Sequence, residues 1–117
     1  LTKFYNVQII ISESTKLLVK DSFTTRKLDL VRVKGKNKPV EIYELPIKVN
    51  VKFIEQYEKA LSLYLKRKFE EALSEFKKAL VLKKADNPTL EFIQRCKNYI
   101  KSPPPKNWDG SFEMKSK

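Results

Sequence analysis

The hydrophobic period of this chain changes once, at Pro46, and that change puts two kinds of structure into one short sequence. Before it, β-branched and other apolar residues come in strand-like runs. After it, large apolar residues recur with a period near 3.6, the signature of helices with one buried face. Proline closes the first pattern, because it has no amide hydrogen to give to a ladder. Punctuation is otherwise sparse, with two Gly in 117 residues and three of the six Pro gathered at 103–105. The chain therefore divides into 1–46, 47–101 and 102–117, and an α+β fold is expected.

In the first segment, Val7-Gln8-Ile9-Ile10-Ile11 reads as a strand buried on both faces. Ser12 can cap a short helix over residues 13–19, with Leu17 and Leu18 turned inward. From Phe23 the pattern is extended: Leu28, Leu30, Val31 and Val33 lead to Gly35, then a polar turn, then Val40, Ile42, Tyr43 and Leu45. That is a β-hairpin, so the order is strand, helix, strand, strand.

The second segment reads as three helices. Phe53, Tyr57, Ala60, Leu61 and Tyr64 form one stripe, broken by Lys66-Arg67-Lys68, and Phe69, Ala72, Leu73, Phe76, Ala79 and Leu80 form another. Asp86-Asn87-Pro88 is a helix start, with a capping side chain and proline in the first turn. Leu90, Ile93, Cys96, Lys97 and Ile100 then mark a third helix, ending before Pro103. Connections this short make the helices antiparallel neighbours.

Composition narrows the chemistry. There is no His, which removes His-based acid–base catalysis and His-ligated zinc from this chain. The single Cys, Cys96, cannot form an internal disulfide, which fits a reducing compartment. The net charge of +11 is spread as +4, +6 and +1 over the three segments. Lysines on the helices alternate with Glu55, Glu58, Glu70, Glu71 and Glu75, the pattern of a solvated face, and no nucleic-acid motif accompanies them. No apolar run approaches the roughly 20 residues that span a bilayer.

Three motifs in the first segment, Ile9-Ile10-Ile11-Ser12-Glu13-Ser14-Thr15, Val31-Arg32-Val33-Lys34-Gly35-Lys36 and Pro39-Val40-Glu41-Ile42-Tyr43-Glu44-Leu45, stand in an order and spacing that resemble the C-terminal end of a class III adenylate/guanylate cyclase catalytic domain. The helical segment resembles a tetratricopeptide unit, through Ala60, Phe69, Ala72, Phe76 and Ala79. The Pro103–Gly110 stretch resembles the tail that follows such a module in some bacterial cyclases. The resemblance implies a partial ferredoxin-like βαββ element, then a small antiparallel helical module and a Pro-rich tail. It implies that the chain is the end of a longer cyclase, a pattern already under way at Leu1. The parent would convert ATP or GTP to the cyclic nucleotide with Mg2+ or Mn2+, on the cytoplasmic side, with any membrane anchor upstream. Its partners would be the upstream cyclase core and a second copy.

The family's metal-binding aspartates and transition-state Asn and Arg have no counterparts here, so the resemblance implies no catalysis by this chain alone and no metal site within it. Lys34 aligns with the family lysine that reaches the substrate's terminal phosphates. From the residues themselves, Lys34 reads as a solvated strand-end lysine beside a Gly turn. An incomplete cyclase sheet has unpaired edges, so residues 1–46 are expected to be poorly ordered, rearranged or swapped between copies.

In the helical segment, Tyr57, Ala60, Leu61, Tyr64, Phe69, Ala72, Phe76 and Ala79 are expected to form the core. Only one repeat is present, with Arg67 where the usual inter-helix Gly would stand and Lys84 in place of the usual following Pro. Packing or homodimerisation is therefore expected rather than general peptide capture. The alternative function is a stand-alone helical interaction module. In the tail, Trp108 is expected to pack back as an anchor, carried there by a stiff triproline.

Overall fold

The structure, a computed structural model, describes residues 2–33 and 38–114. It is α+β and divides into two compact units, Leu1–Val49 with Ser111–Lys117, and Asn50–Gly110. The second unit is thus inserted in the sequence of the first.

The first unit is a four-stranded sheet with two short helices. It begins with α1 (Thr2–Tyr5), followed by β1 (Ile10–Ser12), α2 (Glu13–Val19), β2 (Arg26–Val33) and β3 (Val40–Glu44), and closes with β4 (Phe112–Met114). The strand order is β1-β3-β2-β4. β3 pairs antiparallel with both β1 and β2, while β4 runs parallel to β2, with Val31 opposite Phe112. The β2–β3 hairpin expected from the sequence is present. Its register slips between Lys27 and Asp29, so Leu28 and Asp29 are both buried and the inward alternation resumes at Val31. Such a bulge inserts one extra residue and re-aims the chain beyond it. The core comprises Tyr5, Leu28, Val31, Ile42 and Met114.

Two expectations for this unit fail for a shared reason. β1 is a three-residue edge strand with Ile9 exposed and Ile10 and Ile11 half-buried, so it is not covered on both faces. α2 is capped by Ser12, whose Oγ accepts from the Thr15 amide at 3.3 Å, but it turns Lys16 and Val19 toward the sheet. Lys16 Nζ lies 5.3 Å from the Tyr43 ring centroid, and Leu17 and Leu18 are left exposed. A helix of about two turns on a narrow sheet covers one face only. The edge of β2 opposite β3, by contrast, is not open: the chain's own tail supplies β4 to it.

The second unit contains α3 (Val51–Leu65), α4 (Phe69–Leu82) and α5 (Asn87–Lys101). Asn50 caps α3 by accepting from the Phe53 amide at 3.1 Å. Asp86 caps α5 through one oxygen that accepts from both the amide and the hydroxyl of Thr89, at 3.1 and 2.7 Å. These bonds satisfy amides that a helix start leaves without partners. The core unites Phe53, Tyr57, Ala60, Leu61, Tyr64, Phe69, Ala72, Phe76 and Ala79 with Phe92 and Cys96. The buried face of α5 keeps Cys96, and in part Ile93, from the stripe read from the sequence but is otherwise shifted. It is Pro88, Thr89, Phe92, Arg95 and Cys96, while Leu90 and Ile100 are exposed. Ring packing decides this: Phe92 stacks on Phe76 with centroids 4.9 Å apart and meets Tyr64 edge-on at 4.8 Å.

Candidate functional site

The densest chemistry in the structure sits at the turn between α3 and α4. Arg67 adopts φ 66°, the left-handed region that favours glycine. The turn is a Schellman motif, with the Lys68 amide donating to the Leu63 carbonyl at 2.9 Å and the Arg67 amide to that of Tyr64 at 3.0 Å. This geometry is why related turns use Gly, and why the Arg here needs compensation. Its guanidinium supplies it. Nη2 donates to the Pro104 carbonyl at 2.7 Å and Nη1 to that of Pro105 at 2.9 Å.

That grip places Trp108 among three rings. Its centroid lies 5.5 Å from Tyr64, 5.6 Å from Phe69 and 5.6 Å from Tyr99. The Arg67 guanidinium carbon lies 5.7 Å from the indole centroid, within cation–π range. Pro104 is buried, and the Trp108 amide returns to the Pro105 carbonyl at 3.0 Å, tightening the tail into a turn. The Trp108 Nε1 hydrogen has no acceptor among the described residues. Arg67 was legible in the sequence only as a missing glycine. A cation at that position followed by a downstream Pro-Pro-x-x-Trp was the available signal.

Elsewhere the charged side chains serve the scaffold. Arg26 is fully buried and meets one oxygen of Glu44 through Nε at 2.8 Å and Nη2 at 2.7 Å. Asp29, also buried, accepts from the Tyr5 hydroxyl and from the Leu30 amide. Lys27 pairs with Glu41 at 2.7 Å, and the Tyr43 hydroxyl donates to the same carboxylate. The Lys27 ammonium, chiefly, holds the Glu41 carboxyl below its ordinary range. Glu75 receives Gln56 Nε2 at 2.8 Å and Lys78 at 3.1 Å, and its carboxyl is lowered to about 2, first by Gln56 and then by Lys78. Cys96 is buried, which pushes its thiol up to about 12 and leaves it inert at neutral pH.

Among the described residues, no three His, Cys, Asp or Glu side chains gather where they could hold a metal ion. The buried carboxylates are already committed, Asp29 to Tyr5, Asp86 to its cap and Glu44 to Arg26. The residues described therefore do not fit Mg2+ or Mn2+. An open depression of about 410 Å³ beside the end of α2 is lined by Lys16, Lys20, Asp21, Phe23 and neighbouring hydroxyls. No helix of the described residues is long and apolar enough to cross a membrane. Lys34 lies outside the described residues, just beyond the end of β2 at Val33. Tyr57, Ala60, Leu61, Tyr64, Phe69, Ala72, Phe76 and Ala79 are brought together in one cluster, and Trp108 packs against it.

Against known proteins, the chain is 35% identical over 112 aligned residues to "Adenylate cyclase, terminal-differentiation specific" of Dictyostelium discoideum. The aligned residues are similar to a part of that adenylate cyclase. The alignment takes in 87% of this chain, and the chain spans 5% of the length of that relative. It therefore runs through both the sheet-forming and the helical segments. No family model matches the chain, and no solved structure matches it.

Proposed function

We propose that this chain is the C-terminal part of a class III nucleotide cyclase, contributing strands to the catalytic domain and a helical module that governs self-association or regulation. The observation that carries the reading is the adenylate cyclase match, which extends across both segments rather than the strands alone. The parent would form cyclic AMP or cyclic GMP from the nucleoside triphosphate, with two divalent ions held by carboxylates of the upstream core. In this reading Lys34 sets a point charge against the substrate's terminal phosphates, a role suited to a lysine followed in sequence by Gly35. In this reading the chain alone is not catalytic, and among the described residues no carboxylate set gathers for the ions.

The test is a cyclase assay on the full-length gene product and on this chain, each with ATP or GTP and Mg2+ or Mn2+. The full-length protein should make cyclic nucleotide, and Lys34→Ala within it should raise KM for the triphosphate. The isolated chain should give no product above blank. Inactivity of the full-length protein under every such condition would overturn the cyclase reading, and product from the isolated chain would overturn its non-catalytic role.

A second reading, a stand-alone helical interaction module, is favoured by two features. The helical unit has its own aromatic core, and the edge of β2 is covered by the chain's own β4 rather than left open.

A further inference from the structure

The contact between Arg67, the aromatic cage and the tail has the chemistry of a peptide complex formed within one chain. One guanidinium reads two consecutive backbone carbonyls, those of Pro104 and Pro105, and so recognises an extended backbone rather than particular side chains. Proline at those positions keeps the backbone extended without an ordering cost, the device used by Pro-rich recognition segments. Four residues after Pro104, Trp108 fills the cage of Tyr64, Phe69 and Tyr99. Arg67 makes this contact from a left-handed backbone, φ 66°.

Several features set this contact apart from the core beneath it. Trp108 is only half-buried, whereas Tyr64 is fully enclosed. The buried Trp108 Nε1 hydrogen finds no acceptor among the described residues, so the fit in cis leaves one donor unmet. The segment is bounded by two irregular positions, Ser102 at the end of α5 (φ −136°, ψ 86°) and Gly110 at φ 90°. Between them, residues 103–110 form neither helix nor strand, so no ladder bond lies within the segment itself, which leads directly into β4.

We propose that the groove at the α3–α4 turn is a binding site for a Pro-Pro-x-x-Trp peptide that turns after its prolines, occupied here by the chain's own tail, and that the tail of a second copy takes its place by exchange. This sharpens the self-association proposed above by naming its route. Exchange of an identical element needs no new contact chemistry, since every bond made in cis is made again in trans. The cis tail competes at an effective concentration on the order of millimolar, so exchange is favoured at high local concentration. A parent that holds two copies together supplies that condition.

The chain contains a single Trp, which allows a complementation experiment. Trp108→Ala keeps the groove but loses the anchor. Arg67→Gly keeps the anchor, loses the carbonyl grip and preserves the turn. Alone, the Arg67→Gly chain should show Trp emission at longer wavelength than the wild type. Adding the Trp108→Ala chain, which carries no Trp, should move that emission back in a saturable way and produce a one-to-one complex by mass. Both variants retaining helical circular dichroism with no emission change up to millimolar concentration would overturn the exchange. If Trp108→Ala does not fold, the wild-type mass answers the same question. A dimer fraction that rises with concentration and is lost in Arg67→Gly supports the proposal, and a wild type that stays monomeric to millimolar concentration overturns it. A dimer unaffected by Arg67→Gly overturns the tail route while leaving self-association itself standing.

Discussion

Arg26 and Glu44 face each other across β2 and β3 as register partners, with the guanidinium fully buried and its nitrogens 2.7 and 2.8 Å from one carboxylate oxygen. Removing one member leaves a charge in a site from which water is excluded, a loss of about 3–5 kcal/mol for pairs of this kind. Replacing both restores balance. Arg26→Met alone is expected to destabilise the sheet-containing unit severely, and Arg26→Met with Glu44→Leu much less. Urea unfolding of the two variants checks this, and equal losses would show that charge burial is not what the pair resolves.

Position 67 separates backbone strain from side-chain grip. Arg67→Gly relieves a left-handed conformation that costs a non-glycine residue roughly 1–2 kcal/mol. It also loses two hydrogen bonds from a charged donor, each of about 1.5–3 kcal/mol. A net loss is therefore expected for Gly, and a larger one for Arg67→Ala, which keeps the strain and loses the bonds. Thermal unfolding followed at 222 nm should rank wild type above Gly and Gly above Ala. The reverse order of Gly and Ala would refute the assignment of strain to this residue.

Glu75 predicts an acid-sensitive helical unit. Its carboxyl is lowered from an ordinary 4.5 to about 2 by the Gln56 amide and Lys78. A depressed carboxylate pKa contributes stability that is present above the unfolded value and lost as pH falls through the folded one. The helix pair α3–α4 should therefore lose stability between about pH 4.5 and 2. Glu75→Gln should flatten that part of the profile while lowering stability at neutral pH. Urea midpoints measured every half pH unit would reveal it, and an unchanged acid slope in the variant would count against the assignment.

Phe92 and Leu90 test which face of α5 is buried. Phe92→Ala empties the space between Phe76 and Tyr64 and should cost about 3–5 kcal/mol. Leu90→Ala removes an exposed side chain and should fall within about 0.5 kcal/mol of wild type. Comparable losses from the two would mean the helix is rotated from the orientation described.

Much of this architecture was legible from residue order because it is local. The change of period at Pro46, the cap at Ser12, the Asp86-Asn87-Pro88 helix start and the β2–β3 hairpin each depend on residues a few positions apart. Periodicity likewise placed Tyr57, Tyr64, Phe69 and Phe76 on inward stripes, since a helix can bury only one face of such rings. What the sequence could not settle were choices between competing apolar residues and between distant partners. Leu17 and Leu18 look like core until the narrow sheet leaves no surface to cover them. Phe92 displaces Leu90 and Ile100 from the interior of α5 because one ring fills the gap between Phe76 and Tyr64 better than the aliphatic stripe. The fourth strand and the Arg67 grip lie further out of reach. Phe112 pairs beside Val31, and Arg67 holds Pro104 and Pro105, across separations in sequence that no local pattern encodes. Sequence alone determined the helix or strand character of β1–β3 and α2–α5, but not of α1 and β4. The tertiary structure decided which edge the tail closes and why an arginine stands at a turn suited to glycine: its left-handed backbone is offset by carbonyls that only the folded chain brings within reach.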